Sequence, residues 1–275
     1  MDAATPEDLR SSGTLLAFKN NPSMLTDLVS LLYQSLTRRE TLLDLGVGFG
    51  YAAQMLKNTL GFKEAVGVDI DEERLAKSSE RGIKTVSLDL DQASTHLPFP
   101  DESVDLVTCL GVLNYIRSYD CMINETSRVL RPGGIFVTSV PNLGWWVNRI
   151  SLLFGFQPPH VGVSSDRAVG LPGFYPRQKA TKYLHSLTLR ALKEILTLHG
   201  FDVLKVYGGR ENGYETMHNP ILRGVVAASE NLLSRSSALA VRIITVSRKR
   251  VSSANHSFSH YPLEEILGNS SVPAV

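Results

Sequence analysis

Short runs rich in Val, Ile, Leu and Phe alternate with longer stretches of mixed polarity along most of the chain. Such continuous apolar runs are typical of strands that are covered on both faces of a parallel sheet. The stretches between them are typical of the helices that connect those strands, so the pattern predicts an α/β protein built from βαβ units. The predicted strands are 41–45, 65–69, 84–88, 104–109, 134–140, 201–207 and 241–246.

Helix signals lie between these runs, and helices are predicted over 71–81, 119–130 and 189–199. Gly82 and Gly200 follow the first and the third, where a left-handed residue ends a helix readily. The second stops before Arg131-Pro132-Gly133-Gly134, because proline cannot continue a helix and glycine permits a turn.

Two regions fall outside the alternation. Residues 141–187 are rich in Pro, Gly and aromatic residues, and the chain from about residue 252 is rich in Ser and Asn. An irregular segment as long as the first is usually functional, which favours a lid over a surface loop without function. The expected organisation is an N-terminal helical segment over 1–40, one domain over 41–251 that includes the lid, and a disordered tail over 252–275.

Composition and charge exclude several classes of protein. Lys and Arg number 28 against 27 Asp and Glu, so no net field attracts a nucleic acid, and none is expected as a partner. Cys109 and Cys121 have no spacing that suggests a disulfide framework or a zinc site, and the seven histidines have no metal-ligand spacing. We therefore expect no metal, and with neither a secretory signal nor a long apolar run we expect a cytoplasmic protein.

A glycine-rich turn joins the first predicted strand to a helix in the segment LLDLGVGFGYAAQMLKN. Gly46, Gly48 and Gly50 let the backbone approach a ligand, and the start of the helix offers free N–H groups to a carboxylate or phosphate. A dinucleotide fingerprint requires glycine or alanine where Tyr51 stands. Asp44 would repel a pyrophosphate, whereas it suits the ammonium group of an amino-acid moiety.

Acidic residues also close the next two strands. Asp69 can accept hydrogen bonds from both hydroxyls of a ribose, Ile70 can lie on the face of an adenine, and Asp89 can accept from its amino group. Each residue has a structural alternative, because Asp is also favoured at helix starts and Gly in turns. The ligand hypothesis is favoured because it explains several strand ends together.

At these residues the chain resembles the class I S-adenosylmethionine (SAM)-dependent methyltransferases, and within them the type 11 group. The resemblance rests on LLDLGVGFG, AVGVDIDEERLAKS, SLDLDQASTHLPFPDESVDLVTCLGVLNYI and ETSRVLRPGGIFVTSVPN, which together cover about 41–142. It implies a Rossmann-like sheet of seven strands in the order 3-2-1-4-5-7-6, with the last strand antiparallel, helices on both faces and the lid after strand 5. SAM would lie across the ends of strands 1, 2 and 4.

Carried onto this sequence, the resemblance implies a role for each matching residue. The methionine part would lie against Asp44, Gly46, Gly48 and Gly50, the ribose against Asp69, the adenine against Asp89 and Leu90, and Leu110 and Gly111 would line the methionine side. Tyr115 departs from the family pattern, because many members carry histidine there, after the pair that is Leu113-Asn114 in this chain. That departure puts in doubt any acid/base role taken from relatives.

The methyl acceptor is not defined by these motifs, and a small molecule, a glycan or a lipid-linked compound would each fit. A catalytic base is needed only if the acceptor loses a proton, and His160 and Tyr115 are the candidates. The alternative for His160 is an exposed loop histidine. The apolar stretch over 144–156 would pack on the core, cover the acceptor or contact a membrane surface.

Two other functions compete with methyl transfer. An NAD-dependent oxidoreductase is suggested by Tyr175-x-x-x-Lys179, but Pro176 and the missing third glycine oppose it. A catalytically silent SAM-binding or scaffold module of the same fold is the second alternative, since a fold alone does not establish a function.

Overall fold

The structure is a computed structural model that describes residues 18–92, 96–172, 183–210 and 220–251. The tail from 252, residues 1–17 and the Tyr175-x-x-x-Lys179 motif lie outside the described residues. The strands are β1 Thr41–Leu45, β2 Glu64–Asp69, β3 Lys84–Ser87, β4 Val104–Leu110, β5 Leu130–Pro141, β6 Phe201–Gly209 and β7 Arg242–Lys249. The helices are α1 Pro22–Ser35, α2 Tyr51–Leu60, α3 Glu72–Glu80, α4 Tyr119–Val129, α5 Trp146–Leu153, α6 Leu189–Leu198 and α7 Pro220–Leu233.

The strands form one seven-stranded sheet in the order β3-β2-β1-β4-β5-β7-β6, which confirms the predicted fold class. Strands β1 to β5 are parallel, whereas β7 runs antiparallel to both β5 and β6. All the predicted strands are present, with boundaries that shift by a few residues. The largest shift is in β5, which begins at Leu130 and contains the predicted turn as an irregularity at Gly133, where φ is 78°.

Hydrophobic residues cover both faces of the sheet. One core cluster joins the strands to α4 and α6, and the other joins them to α1, α2 and α3. In β1 the side chain of Leu42 belongs to the second cluster, whereas Leu43 and Leu45 belong to the first. This double coverage explains why the strands are continuous apolar runs rather than alternating ones.

The sequence analysis did not predict α7. This helix packs near α5, where the Trp145 indole donates from Nε1 to Oε1 of the buried Glu230 at 2.6 Å. Its sequence, PILRGVVAASENLL, contains good helix formers, but Gly224 and the two valines after it weaken the helix signal in its first half. Within the described residues, no helix combines the length and the apolar character needed to cross a bilayer.

Asp105 holds the amino end of β1, at the edge of the sheet opposite the carboxyl ends of the parallel strands. Its carboxylate accepts hydrogen bonds from the backbone N–H of Glu40 at 2.8 Å and of Thr41 at 3.0 Å. Its second oxygen lies 3.1 Å from Nε of Arg131. Because Asp105 is buried, these partners replace the water that would otherwise solvate its charge.

We expect the substitution Asp105→Ala to lower the free energy of unfolding by about 3 kcal/mol, because it removes two charge-assisted hydrogen bonds and leaves Arg131 unpaired. Asp101→Ala is the matched control, since Asp101 is also paired with an arginine but its side chain is 75% exposed. Urea denaturation followed by circular dichroism measures both variants. Equal losses in the two variants would contradict the role given to Asp105.

Candidate active site

A cavity of about 420 Å³ opens at the carboxyl ends of β1, β2 and β4. This volume is within the range of sites for small ligands and cofactors. The predicted site residues that line it are Asp44, Gly46, Gly48, Asp69, Ile70, Asp89, Leu90, Leu110, Gly111 and Tyr115. Gly50, the N-cap of α2, stands between the lining residues Phe49 and Tyr51 without lining the cavity itself, and His160 is not part of the lining.

Each of the three turn glycines has a positive φ, but they serve different purposes. A Cβ atom on Gly46 would lie 2.1 Å from Cγ2 of Val112, and one on Gly50 would lie 2.5 Å from Oγ of Ser78. These two glycines therefore permit close packing of the loop on the protein. A Cβ atom on Gly48 would meet no protein atom within 4 Å, so the space above it belongs to the cavity.

The glycine loop is held against β2 by backbone hydrogen bonds. The N–H groups of Gly46 and Val47 both donate to the carbonyl of Val68, at 2.7 and 3.0 Å. Val47 packs over Gly67, where any Cβ atom would approach it to 2.6 Å. The sequence analysis missed Gly67, although a glycine inside an apolar strand is a signal of close approach.

Asp44 is buried beneath this loop, and its Oδ1 accepts a 2.6 Å hydrogen bond from the hydroxyl of Thr108. Burial raises the pKa of the Asp44 carboxyl group to about 7; the Thr108 hydrogen bond opposes this rise and the charge of Asp69 adds to it. Thr108 was also missed, and its signal was a polar residue inside the apolar strand VDLVTCL. A buried carboxyl group in a cavity is suited to a cationic partner.

Asp69 connects the glycine loop to the start of α3. One carboxylate oxygen accepts from the backbone N–H of Gly48 at 2.9 Å, and the other accepts from Ile70 and Asp71 at 2.8 and 3.1 Å. A carboxylate offers about four lone-pair positions, so about one is left for a ligand. Asp71, rather than Asp69, is the N-cap of α3.

The far end of the cavity combines apolar and acidic groups. Ile70 is 65% exposed and Leu90 is buried, and both face this space. Asp89 accepts from the N–H of Asp91 at 2.9 Å, which shapes the loop after β3. Arg74 also lines the cavity, 3.2 Å from the carboxylate of Asp71.

The start of α2 faces the cavity without a side-chain cap. Its N-cap is Gly50, which has no side chain to cap the helix. The first N–H groups of a helix, together with the helix dipole, favour a negatively charged ligand group.

The two candidate bases occupy different places. Tyr115 lies in a short 3-10 turn, Leu113–Tyr115, at the cavity wall, and its ring centroid is 5.4 Å from that of Tyr183. The His160 ring stacks on Trp145 with their centroids 5.1 Å apart. Its centroid is 6.2 Å from that of Tyr183, the residue that contacts Tyr115 at the cavity wall. The lid is attached beside Tyr115, since the N–H of Leu184 donates to the carbonyl of Asn114 at 2.8 Å.

The pair Trp145 and Trp146 does not line the cavity. Trp145 is buried with Val147 and Val241 in a small separate cluster, against which Trp146 packs. Among the described residues, no group of three or more His, Cys, Asp or Glu side chains is arranged to hold a metal ion.

Comparison with known proteins shows which proteins this domain resembles. The family model described as a methyltransferase domain matches residues 43–138. A protein named as an S-adenosylmethionine-dependent methyltransferase from Mycolicibacterium smegmatis is 33% identical over 182 residues, which are 65% of this chain and 59% of that protein. A rat mitochondrial protein named as an arginine hydroxylase is 37% identical over 99 residues, which are 34% of this chain and 27% of that protein.

Solved structures of methyltransferases have a similar fold. The crystal structure of an S-adenosylmethionine-dependent methyltransferase from Mesorhizobium loti superposes with a TM-score of 0.52 at 19% identity, covering 81% of this chain and 96% of that one. The described topology, the family model and these relatives agree. The chain therefore has the class I S-adenosylmethionine-dependent methyltransferase fold, and its residues 43–138 match the methyltransferase domain family.

Proposed function

We propose that this protein transfers the methyl group of SAM to a small-molecule, glycan or lipid-linked acceptor. The observation that carries this proposal is the charge of the cavity, whose described lining residues include Asp44, Asp69, Asp89 and Asp91 against one arginine, Arg74. Four carboxyl groups and one guanidinium group favour a cationic ligand. SAM carries both an ammonium and a sulfonium charge, so its chemistry matches this lining.

The polar groups of the cavity match the parts of SAM in order. Asp44 is the partner for the ammonium group, and the positive end of the α2 dipole, at the start of that helix, suits the carboxylate. Asp69 has about one position for a ribose hydroxyl. Ile70 and Leu90 provide apolar contacts for the adenine ring, with Asp89 beside them as an acceptor for its amino group.

The same lining opposes an NAD-dependent oxidoreductase. A pyrophosphate placed at the glycine loop would lie beside the carboxyl groups of Asp44 and Asp69. Among the described residues of the lining Arg74 is the only basic one, and it is paired with Asp71. Tyr51 stands where the dinucleotide motif needs a third small residue.

Bound SAM supplies an electrophilic methyl group, which an acceptor atom attacks in line with the methyl–sulfur bond. Leu110 and Gly111 support the methionine side of the cavity, and Tyr115 forms the wall beyond them. A hydroxyl acceptor must lose a proton, and Tyr115 is the candidate base that reaches the cavity. His160 lies behind Tyr183 and would act there only through a change in the lid.

We further propose that the lid over 141–187, within a domain that spans 41–251, selects the acceptor. Support comes from its attachment beside Tyr115 and from the Tyr115–Tyr183 ring contact. The Trp145 indole supports the base of the lid through Glu230 rather than contacting the cavity. Acceptor choice would therefore be separable from SAM binding.

Methyl transfer is tested directly by incubating the protein with a cell extract and SAM that carries an isotopically labelled methyl group. We expect mass spectrometry to find the label in a product that is absent when the protein is omitted. The named arginine hydroxylase among the relatives makes this test necessary, because sequence similarity in this domain also extends to a protein named for other chemistry. SAM binding without any labelled product would favour the scaffold alternative.

Gly48→Val should abolish SAM binding, because the side chain would enter the cavity, where a Cβ atom meets no protein atom within 4 Å. Gly82→Val is the matched control: both glycines have a positive φ and open space around a Cβ atom, but Gly82 is outside the cavity lining. Both variants should lose about 1–2 kcal/mol of stability through backbone strain. Titration calorimetry should detect normal SAM binding by the Gly82 variant alone; binding by the Gly48 variant would show that the turn does not cradle SAM.

SAM affinity should rise with pH because the ammonium group pairs with ionised Asp44, whose pKa is about 7 in the free protein. At pH 6 most of these carboxyl groups are protonated, and at pH 7.5 most are ionised. The association constant should therefore increase by about five- to tenfold between these values, and this increase should be absent in Asp44→Asn. Calorimetry at pH 6 and pH 7.5 measures the association constant of each protein. An equal rise in Asp44→Asn would show that a group other than Asp44 titrates.

The raised pKa of Asp44 also determines how the stability of the folded protein changes with pH. Because the folded-state pKa is raised from 3.8 to about 7, folding favours the protonated carboxyl group. The stabilisation of the folded state by protonated Asp44 is complete below about pH 4 and is lost as the pH rises through about 7. At pH 8, Asp44→Asn should therefore be at least as stable as the unchanged protein while binding SAM more weakly, which separates loss of function from unfolding.

A further inference from the structure

Large apolar side chains are concentrated on the surface where α5 ends. Leu152, Leu153, Phe154 and Phe156 are 60%, 78%, 69% and 42% exposed, and we call these four residues the α5 tip. A backbone hydrogen bond of 2.8 Å from Phe156 to the carbonyl of Ser151 folds the chain back, so that Phe156 stays beside the helix end. An exposed apolar group of this kind marks an interaction surface.

The order of these residues indicates the kind of partner. Helical residues that dock into a protein groove recur at every third or fourth position, so that they share one face. Ile150, which is 43% exposed, shares a face with Leu153 and Phe154, but Leu152 lies outside that face because successive helical side chains point in directions about 100° apart. A surface that surrounds the helix end accommodates them, as the fluid interfacial region of a lipid bilayer does.

The charges beside the tip indicate which lipids it fits. The N–H of Gln157 donates to the carbonyl of Gly170 at 2.8 Å, which brings Val169 and Arg167 towards the tip. Arg149 and Arg167 are exposed, and Asp166 is the only acidic residue of the described segment 141–172. Two guanidinium groups against one carboxylate favour a negatively charged lipid surface.

We propose that the α5 tip binds peripherally to anionic lipid bilayers. No residue of 150–156 lines the cavity, so this inference does not depend on the proposed methyl transfer. The tip follows the carboxyl end of β5, and the cavity lies at the carboxyl ends of β1, β2 and β4, so both lie at the same edge of the sheet. Binding would therefore bring the cavity edge of the molecule towards the bilayer.

The test is a flotation assay of the full chain with vesicles of phosphatidylcholine alone and of phosphatidylcholine mixed with phosphatidylglycerol. We expect binding to the mixed vesicles that weakens as salt is added, since salt screens the arginine charges. The double change Leu153→Glu with Phe154→Glu should weaken binding by about a hundredfold, because it places carboxylates at the points of insertion. Arg167→Gln should weaken it by about fivefold.

Leu198→Glu is the matched control. Leu198 is 61% exposed at the end of α6, and β6 begins directly afterwards and runs in the direction of β5. It therefore lies at the opposite edge of the sheet, and its substitution should leave vesicle binding unchanged. Each variant is checked by SAM calorimetry and by circular dichroism.

Three results would overturn the proposal. The first is no flotation of the unchanged protein with either vesicle. The second is equal flotation of the unchanged protein and the double variant. The third is self-association in analytical ultracentrifugation that the double variant loses while vesicles capture neither protein, which would make the α5 tip an interface between two copies of the chain.

Discussion

Burial of the Asp44 carboxyl group against Thr108 is the interaction on which the cavity depends. The two residues are register partners on the paired strands β1 and β4, so their 2.6 Å hydrogen bond is set by the sheet itself. Desolvation of this carboxyl group costs free energy in the empty protein, and a cationic ligand can recover it. The glycine loop above Asp44 leaves the approach open, because Gly48 carries no side chain into that space.

The parallel sheet explains why distant acids share one cavity. Asp44 and Asp69 end neighbouring strands, and Asp89 follows the next strand of the same sheet, so their separation in sequence becomes proximity at one edge. The acids are not equivalent. Asp69 uses three hydrogen bonds to hold the loop and the start of α3, whereas Asp44 is buried with one side-chain partner, Thr108. Structural and ligand-binding roles thus coincide at Asp69.

The sheet, its order and the lining of the cavity could be predicted because strand periodicity and strand-end motifs are local in sequence. α7 was not predicted, since Gly224 and the valines after it interrupt its helix formers and its packing depends on the distant contact between Trp145 and Glu230. Thr108, Gly67 and Val112 were missed for a related reason. Each acts on the glycine loop or on Asp44 from another element, so its role is visible only once the strands are paired. The lid places His160 behind Tyr183, which no local pattern indicates.

The orientation of SAM in the cavity is the central claim, and a crystal structure of the protein with SAM tests it most directly. The account predicts the ammonium group at Asp44, the carboxylate at the start of α2, and the adenine ring between Ile70 and Leu90. The methyl group should then face Tyr115. A ligand bound with its adenine at Asp44, or outside this cavity, would contradict the account.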